Sequence, residues 1–136
     1  LLFLQQQIKE IKHQLNKMVT FSSHILNSVN GTHSSLIPIT INIIEKDGNR
    51  RIICQGKTDD GGRFKENIKI LENETNCEFE MIIFTREYFS KEKIIGGSQQ
   101  MFNKISVRFS MPNNNGVYHI PIIISPNGYS VWSSGE

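Results

Sequence analysis

Four histidines, His13, His24, His33 and His119, are the residues of this chain best suited to chemistry near neutral pH. Imidazole titrates close to neutrality, so it can accept a proton from water and pass one on without a metal. His13 lies in an amphipathic segment and His33 in a polar turn, where both are expected to face solvent as bystanders. His24 and His119 fall inside strand-like runs far apart in sequence. A lone strand histidine is more often structural, so these two gain meaning only from their surroundings. Other constellations fail: there is no Gly-x-Ser-x-Gly elbow, no phosphate-cradling glycine loop and no His-Glu-x-x-His helix. Cys54 and Cys77 match no metal-ligand spacing and make no disulfide framework, so they are expected to be free structural thiols, with no metal site.

The elements that must position these side chains divide the chain in two. Residues 1–19 carry Leu1, Leu4, Ile8, Ile11, Leu15 and Met18 at alternating spacings of three and four. That pattern predicts an amphipathic helical extension with one narrow apolar stripe, too short for a firm coiled coil and expected to be frayed or docked. Gln7-Ile8 and Gln14-Leu15, separated by five residues, resemble the N-terminal peroxisomal address peptide, except that Gln7 stands where a basic residue is usual.

From residue 20 to 136 the pattern turns to period two, with β-branched enrichment. Strand-like runs fall near 21–27, 36–45, 50–58, 63–70, 77–84, 103–110, 117–125 and 128–132. Asp47-Gly48-Asn49, Asp59-Asp60-Gly61-Gly62 and Pro112-Asn113-Asn114-Asn115-Gly116 punctuate them as turns. Cys77, Phe79, Met81 and Ile83 alternate with Glu78 and Glu80, which predicts one buried and one wet face. Arg86 to Lys93 is the one short helix expected in this body. Many short strands without alternating helices predict an all-β antiparallel sandwich of about eight strands.

Size and charge narrow the function. The 136 residues fit one domain, and 38% hydrophobic content suffices for a packed core. A net charge of +2, without a dense Lys/Arg block, argues against a nucleic-acid partner. No stretch approaches a membrane span, and Leu1-Leu2-Phe3-Leu4 stops at Gln5, too short for a signal-peptide core. The protein is therefore expected to be intracellular, in peroxisome or cytoplasm, and its two glycosylation sequons to be chance matches.

The C-terminal block identifies a relative. Tyr118-His119-Ile120-Pro121-Ile122-Ile123-Ile124-Ser125-Pro126-Asn127-Gly128-Tyr129-Ser130 resembles, without a gap, the Tyr-His-Val-Pro-Leu-Leu-Leu-Ser-Pro-x-Gly-Tyr-Ser block of the 5-hydroxyisourate hydrolases, a transthyretin-like family. Ser23-His24-Ile25-Leu26-Asn27, followed by Gly31, resembles the family's Thr-His-Val-Leu-Asp opening. Thr58-Asp59-Asp60-Gly61-Gly62-Arg63 resembles its Thr-x-x-Asp-Gly-Arg turn, and Tyr88-Phe89 stands where the family has Tyr-Phe. The resemblance implies a transthyretin-like sandwich that hydrolyses 5-hydroxyisourate in urate degradation, without a cofactor, as a homotetramer. It places the catalytic His, Arg and His on His24, Arg63 and His119, in a channel between dimers. Strand alternation agrees, because Tyr118, Ile120, Ile122 and Ile124 make the better core face and leave His119 outward.

The tail departs from the family's Tyr-Arg-Gly-Ser ending. Trp132 stands for the tyrosine and Ser133 for the arginine, so Trp132 and Ser133 are the expected substrate-binding positions, with Ser134 a further hydroxyl. Asn27 replaces an Asp, His33 stands near a usual Pro, and Gly61 replaces the Asp of the Arg turn. Two other readings compete: a transthyretin-type carrier of a small hydrophobic molecule, and a sandwich that only assembles. Retention of His24, Arg63 and His119 favours the hydrolase, since the carrier lineage lacks the histidine of the C-terminal strand.

Overall fold

The protein is described here from a computed structural model covering residues 1–15, 17–91 and 100–134. Helix α1 (Leu2–Leu15) realises the N-terminal amphipathic pattern. Its apolar side chains Leu4, Ile8 and Ile11 are exposed. No helix among the described residues is long and apolar enough to cross a membrane.

Ten strands follow among the described residues: β1 (Val19–Asn27), β2 (Thr32–His33), β3 (Pro38–Ile44), β4 (Arg50–Lys57), β5 (Arg63–Ile68), β6 (Glu78–Ile83), β7 (Ile105–Ser110), β8 (Val117–His119), β9 (Ile122–Ser125) and β10 (Gly128–Val131). Helix α2 (Thr85–Lys91) lies between β6 and β7. The end of the expected short helix, residues 92–93, lies outside the described residues.

The strands form two sheets. In the first, β1 is central, with β5 and β2 along one edge, β8 and β9 along the other, and β10 beyond β9. The second has the order β4-β3-β6-β7. Phe21, Ile25, Phe64 and Ile122 from the first sheet meet Ile39, Ile41, Phe79, Met81 and Ile105 from the second. Each such side chain contributes about 1.5–3 kcal/mol on burial, which makes this interlayer the main source of stability. Phe109 joins the sheets directly, stacked on Phe21 at 5.3 Å and tilted against Phe79 at 5.9 Å.

The sandwich is the one expected, with three differences in detail. First, β1 pairs in parallel with β8 and β9, because the chain crosses through the second sheet before it returns beside β1. Second, the run 117–125 is two strands. Pro121 has no N–H to give to the ladder, so β8 stops at His119 and β9 starts at Ile122.

The third difference is Glu80. It is only 4% exposed, although its position on the outer face of β6 predicted a wet residue. Arg50 donates to it at 2.8 Å, Ser106 at 2.8 Å and Asn42 at 3.3 Å, and Arg108 lies 3.6 Å away. Long side chains from β4 and β7 thus close over the carboxylate, and period two alone does not reveal that cover.

Candidate active site

Strand β1 sets the geometry of the histidines. Its residues alternate strictly: Val19, Phe21, Ser23, Ile25 and Asn27 are buried, and Thr20, Ser22, His24 and Leu26 stand half-buried on the outer face. Sheet register then brings the remaining predicted residues to that face. His24 is the cross-strand partner of Arg63 on β5, and Ser22, two residues before it, is the partner of His119 on β8. His24, Arg63 and His119, separated by up to 95 positions in the sequence, therefore share one sheet face.

The Arg turn positions two groups at once. Asp59 Oδ1 accepts the backbone N–H of Gly61 and of Arg63, both at 2.9 Å, and the Asp59 N–H donates to the Arg63 carbonyl at 2.8 Å. Gly62 has φ 74°, and a Cβ there would lie 2.6 Å from the Ile25 carbonyl oxygen, so only glycine fits. The result is a tight reversal that starts β5 at Arg63 and aims the Gly61 carbonyl at His24 Nε2, 3.0 Å away.

A second imidazole also meets His24. The turn after β1 is an Asn30-Gly31 reversal: Asn30 Oδ1 accepts the Thr32 N–H at 3.0 Å, and Gly31 has φ 73°. It folds β2 back so that His33 pairs with Leu26, which puts His33 diagonal to His24 on the outer face. Their rings stack with centroids 5.1 Å apart, and His33 Nδ1 lies 3.0 Å from His24 Nε2. His33 is solvent-facing as expected, and it also touches His24. The signal that could have found it is Asn30-Gly31, a hairpin dipeptide directly after a strand.

Burial holds the His24 pKa below the ordinary imidazole value, Arg63 pushes it further down, and His33 and His119 act in the same direction. The hydrogen bond to the Gly61 carbonyl opposes them. The lowered value favours the neutral imidazole, whose ring nitrogen can accept a proton.

His119 Nδ1 lies 2.8 Å from the Ser22 hydroxyl, a contact that fixes the plane of its ring. The tail runs alongside: the Trp132 N–H donates to the Pro121 carbonyl at 3.3 Å, and the Ser134 N–H to the His119 carbonyl at 3.1 Å. Trp132 is 44% exposed beside this face, and Ser133 is exposed between the two bonded residues.

Asn27 and Tyr88 act in support. Asn27 is buried, donates to the Tyr88 hydroxyl at 3.1 Å and accepts the Val29 N–H at 2.9 Å, so it ties α2 to the turn that carries His33. His24 and His119 are half-buried and Arg63 is exposed. Three clefts of about 460, 490 and 210 Å³ lie elsewhere and include none of His24, Arg63 and His119. No cluster of three or more His, Cys, Asp or Glu suited to a metal occurs among the described residues.

Fold and site together define a transthyretin-type β-sandwich with a polar, histidine-bearing outer sheet face. The chain belongs to the HIUase/Transthyretin family, whose profile matches residues 21–133. It is 21% identical over 111 residues to the 5-hydroxyisourate hydrolase of Halalkalibacterium halodurans, covering 82% of this chain and 93% of that protein. It is 29% identical over 114 residues to the 5-hydroxyisourate hydrolase of Salmonella dublin, covering 82% and 77%. Among solved structures, transthyretin from Sparus aurata superposes with a TM-score of 0.69 at 22% identity, covering 84% of this chain and 95% of that one. An (S)-allantoin synthase superposes with a TM-score of 0.73 at 21% identity, over 89% of this chain and only 45% of the longer enzyme.

Proposed function

We propose that the protein is a 5-hydroxyisourate hydrolase, which opens its substrate to 2-oxo-4-hydroxy-4-carboxy-5-ureidoimidazoline in urate degradation. The observation that carries this reading is the register of the first sheet, which gathers His24, Arg63 and His119 on one outer face. Family membership and the names of the relatives support it.

Ring opening needs a base for water, donors for the developing oxyanion and a proton for the departing nitrogen. Neutral His24 and Ser22-bonded His119 share the proton work. One removes a proton as the water oxygen bonds to the ring carbonyl carbon. The proton then passes to the nitrogen as the C–N bond breaks, leaving a carboxylate. Arg63, permanently charged, orients the electron-rich ring and steadies the oxyanion. Trp132 supplies an aromatic wall. Since these side chains are exposed or half-buried on one chain, a homotetramer that sets two such faces opposite one another would complete a closed site. In this reading residues 20–136 form the hydrolase domain and 1–19 an extension.

The test generates 5-hydroxyisourate in place with urate oxidase and follows its near-ultraviolet absorbance. Rapid decay that falls to the spontaneous rate in both His119→Ala and Arg63→Ala supports the assignment. No acceleration by the folded wild-type protein overturns it and leaves a binding or scaffolding sandwich.

A further inference from the structure

His24 Nε2 faces two groups at the same distance, the Gly61 carbonyl and His33 Nδ1, each at 3.0 Å. A carbonyl has only lone pairs to offer, so its short contact requires the hydrogen to sit on His24 Nε2. A second N–H on His33 Nδ1 would then meet that hydrogen head-on. The geometry is satisfied when His33 presents a lone pair, so that His24 Nε2–H is shared between the carbonyl and the His33 ring. His24 Nδ1 is left as the nitrogen with a free lone pair.

We infer that His33 is a positioning residue: with the Gly61 carbonyl it fixes His24 as the Nε2–H tautomer, and its own protonation disables that arrangement. The inference rests on the hydrolase reading only for its catalytic consequence. A proton on His33 replaces the accepting lone pair with a donor, so His24 must lose either the ring contact or the tautomer that the carbonyl requires. The ring stacking at 5.1 Å adds an orientational constraint that a carbonyl alone does not give.

The charges around the pair come from every neighbouring element. Arg63, opposite His24, and Lys65, opposite Ser22, lie on β5, and His119 lies on β8. Asp59 and Asp60 lie in the adjoining turn, where Asp59 Oδ1 is engaged by the Gly61 and Arg63 N–H groups. Nearby β9, Ile122–Ser125, carries no titratable group. The pair thus sits beside fixed cations, and a proton on each ring at once is disfavoured.

The test compares wild type, His33→Asn and His33→Ala. Asn offers an amide oxygen where His33 offers Nδ1, but it does not titrate near neutrality. Imidazole nitrogen NMR of the full chain, without substrate, should show His24 as the Nε2–H tautomer at pH 8. Its titration should have two steps in wild type and one in His33→Asn. In the absorbance assay the limiting acid-side slope of log(kcat/KM) should fall by one proton in His33→Asn. At pH 8 His33→Asn should keep kcat, and His33→Ala should lose about tenfold in kcat with little change in KM, as for a misoriented base.

A single-step His24 titration in wild type, or an Nδ1–H tautomer, overturns the inference whatever the activity. If the spectra behave as expected but wild type does not hydrolyse 5-hydroxyisourate, the hydrolase reading fails and the histidine pair stands.

Discussion

His24 and Arg63 face one another across the β1–β5 ladder, which puts a permanent positive charge beside a half-buried imidazole. Burial is the larger cause of the depressed His24 pKa, and Arg63 adds to it. Removing the guanidinium leaves burial in place, so in Arg63→Gln the His24 midpoint should rise without returning fully to the ordinary value. The sign for catalysis follows. The neutral base is lost at a higher pH, so the acid limb of kcat/KM should move upward. Loss of the oxyanion donor should also cost about a hundredfold or more in kcat. A histidine titration and a pH–rate profile on the same variant check the two effects separately.

The Arg turn depends on Gly62. An added Cβ would enter the Ile25 carbonyl at 2.6 Å while the backbone is held at φ 74°. Gly62→Ala should therefore lower stability by about 2–4 kcal/mol, a cost that combines strain with a displaced β1–β5 start. Because the Gly61 carbonyl and Arg63 belong to the same reversal, activity should fall even where the variant remains folded. Urea unfolding, paired with activity below the transition, measures both.

Sequence reasoning succeeded where one local rule decides the outcome. Alternation in 117–125 placed His119 outward, and motif resemblance supplied His24 and Arg63. It was less complete where the deciding contact is long-range. Glu80 is covered by Arg50 from β4 and by Ser106 from β7, and no pattern within β6 reports those neighbours. His33 reads as a polar turn residue until the hairpin folds it onto His24. The break at Pro121 follows from a local rule, the missing N–H, yet the alternation of 117–125 hides it by reading as one run.

Glu80 gives a pH prediction for stability. Its hydrogen bond from Arg50 is the largest influence and outweighs burial; with help from Ser106 and Asn42 it holds the carboxyl at about 2, against an ordinary 4.5. A depressed carboxylate pKa stabilises the fold above the unfolded value, and that contribution is lost as pH falls through the folded one. The loss should therefore develop between about pH 4.5 and pH 2. Glu80→Gln should cost about 3 kcal/mol at pH 7, because Arg50 and Arg108 lose a shared partner. Near pH 2 the gap between variant and wild type should narrow, which acid-series thermal unfolding reads directly.

Trp132 tests whether the unusual tail serves the substrate. Its backbone bond to Pro121 and that of Ser134 to His119 hold the tail against the strand that carries His119, with the indole 44% exposed. An indole presented to solvent beside a polar site is a stacking surface for a planar ring. Trp132→Ala should raise KM by about tenfold and change kcat by less than about threefold, since a wall contributes to binding more than to proton transfer. Trp132→Tyr keeps an aromatic face and should restore most of the affinity. Ser133→Ala, which removes the exposed hydroxyl at the other expected substrate-binding position, should raise KM and leave kcat within about threefold. A fall in kcat alone for Trp132→Ala would instead tie the indole to the orientation of His119, and the same assay distinguishes the two.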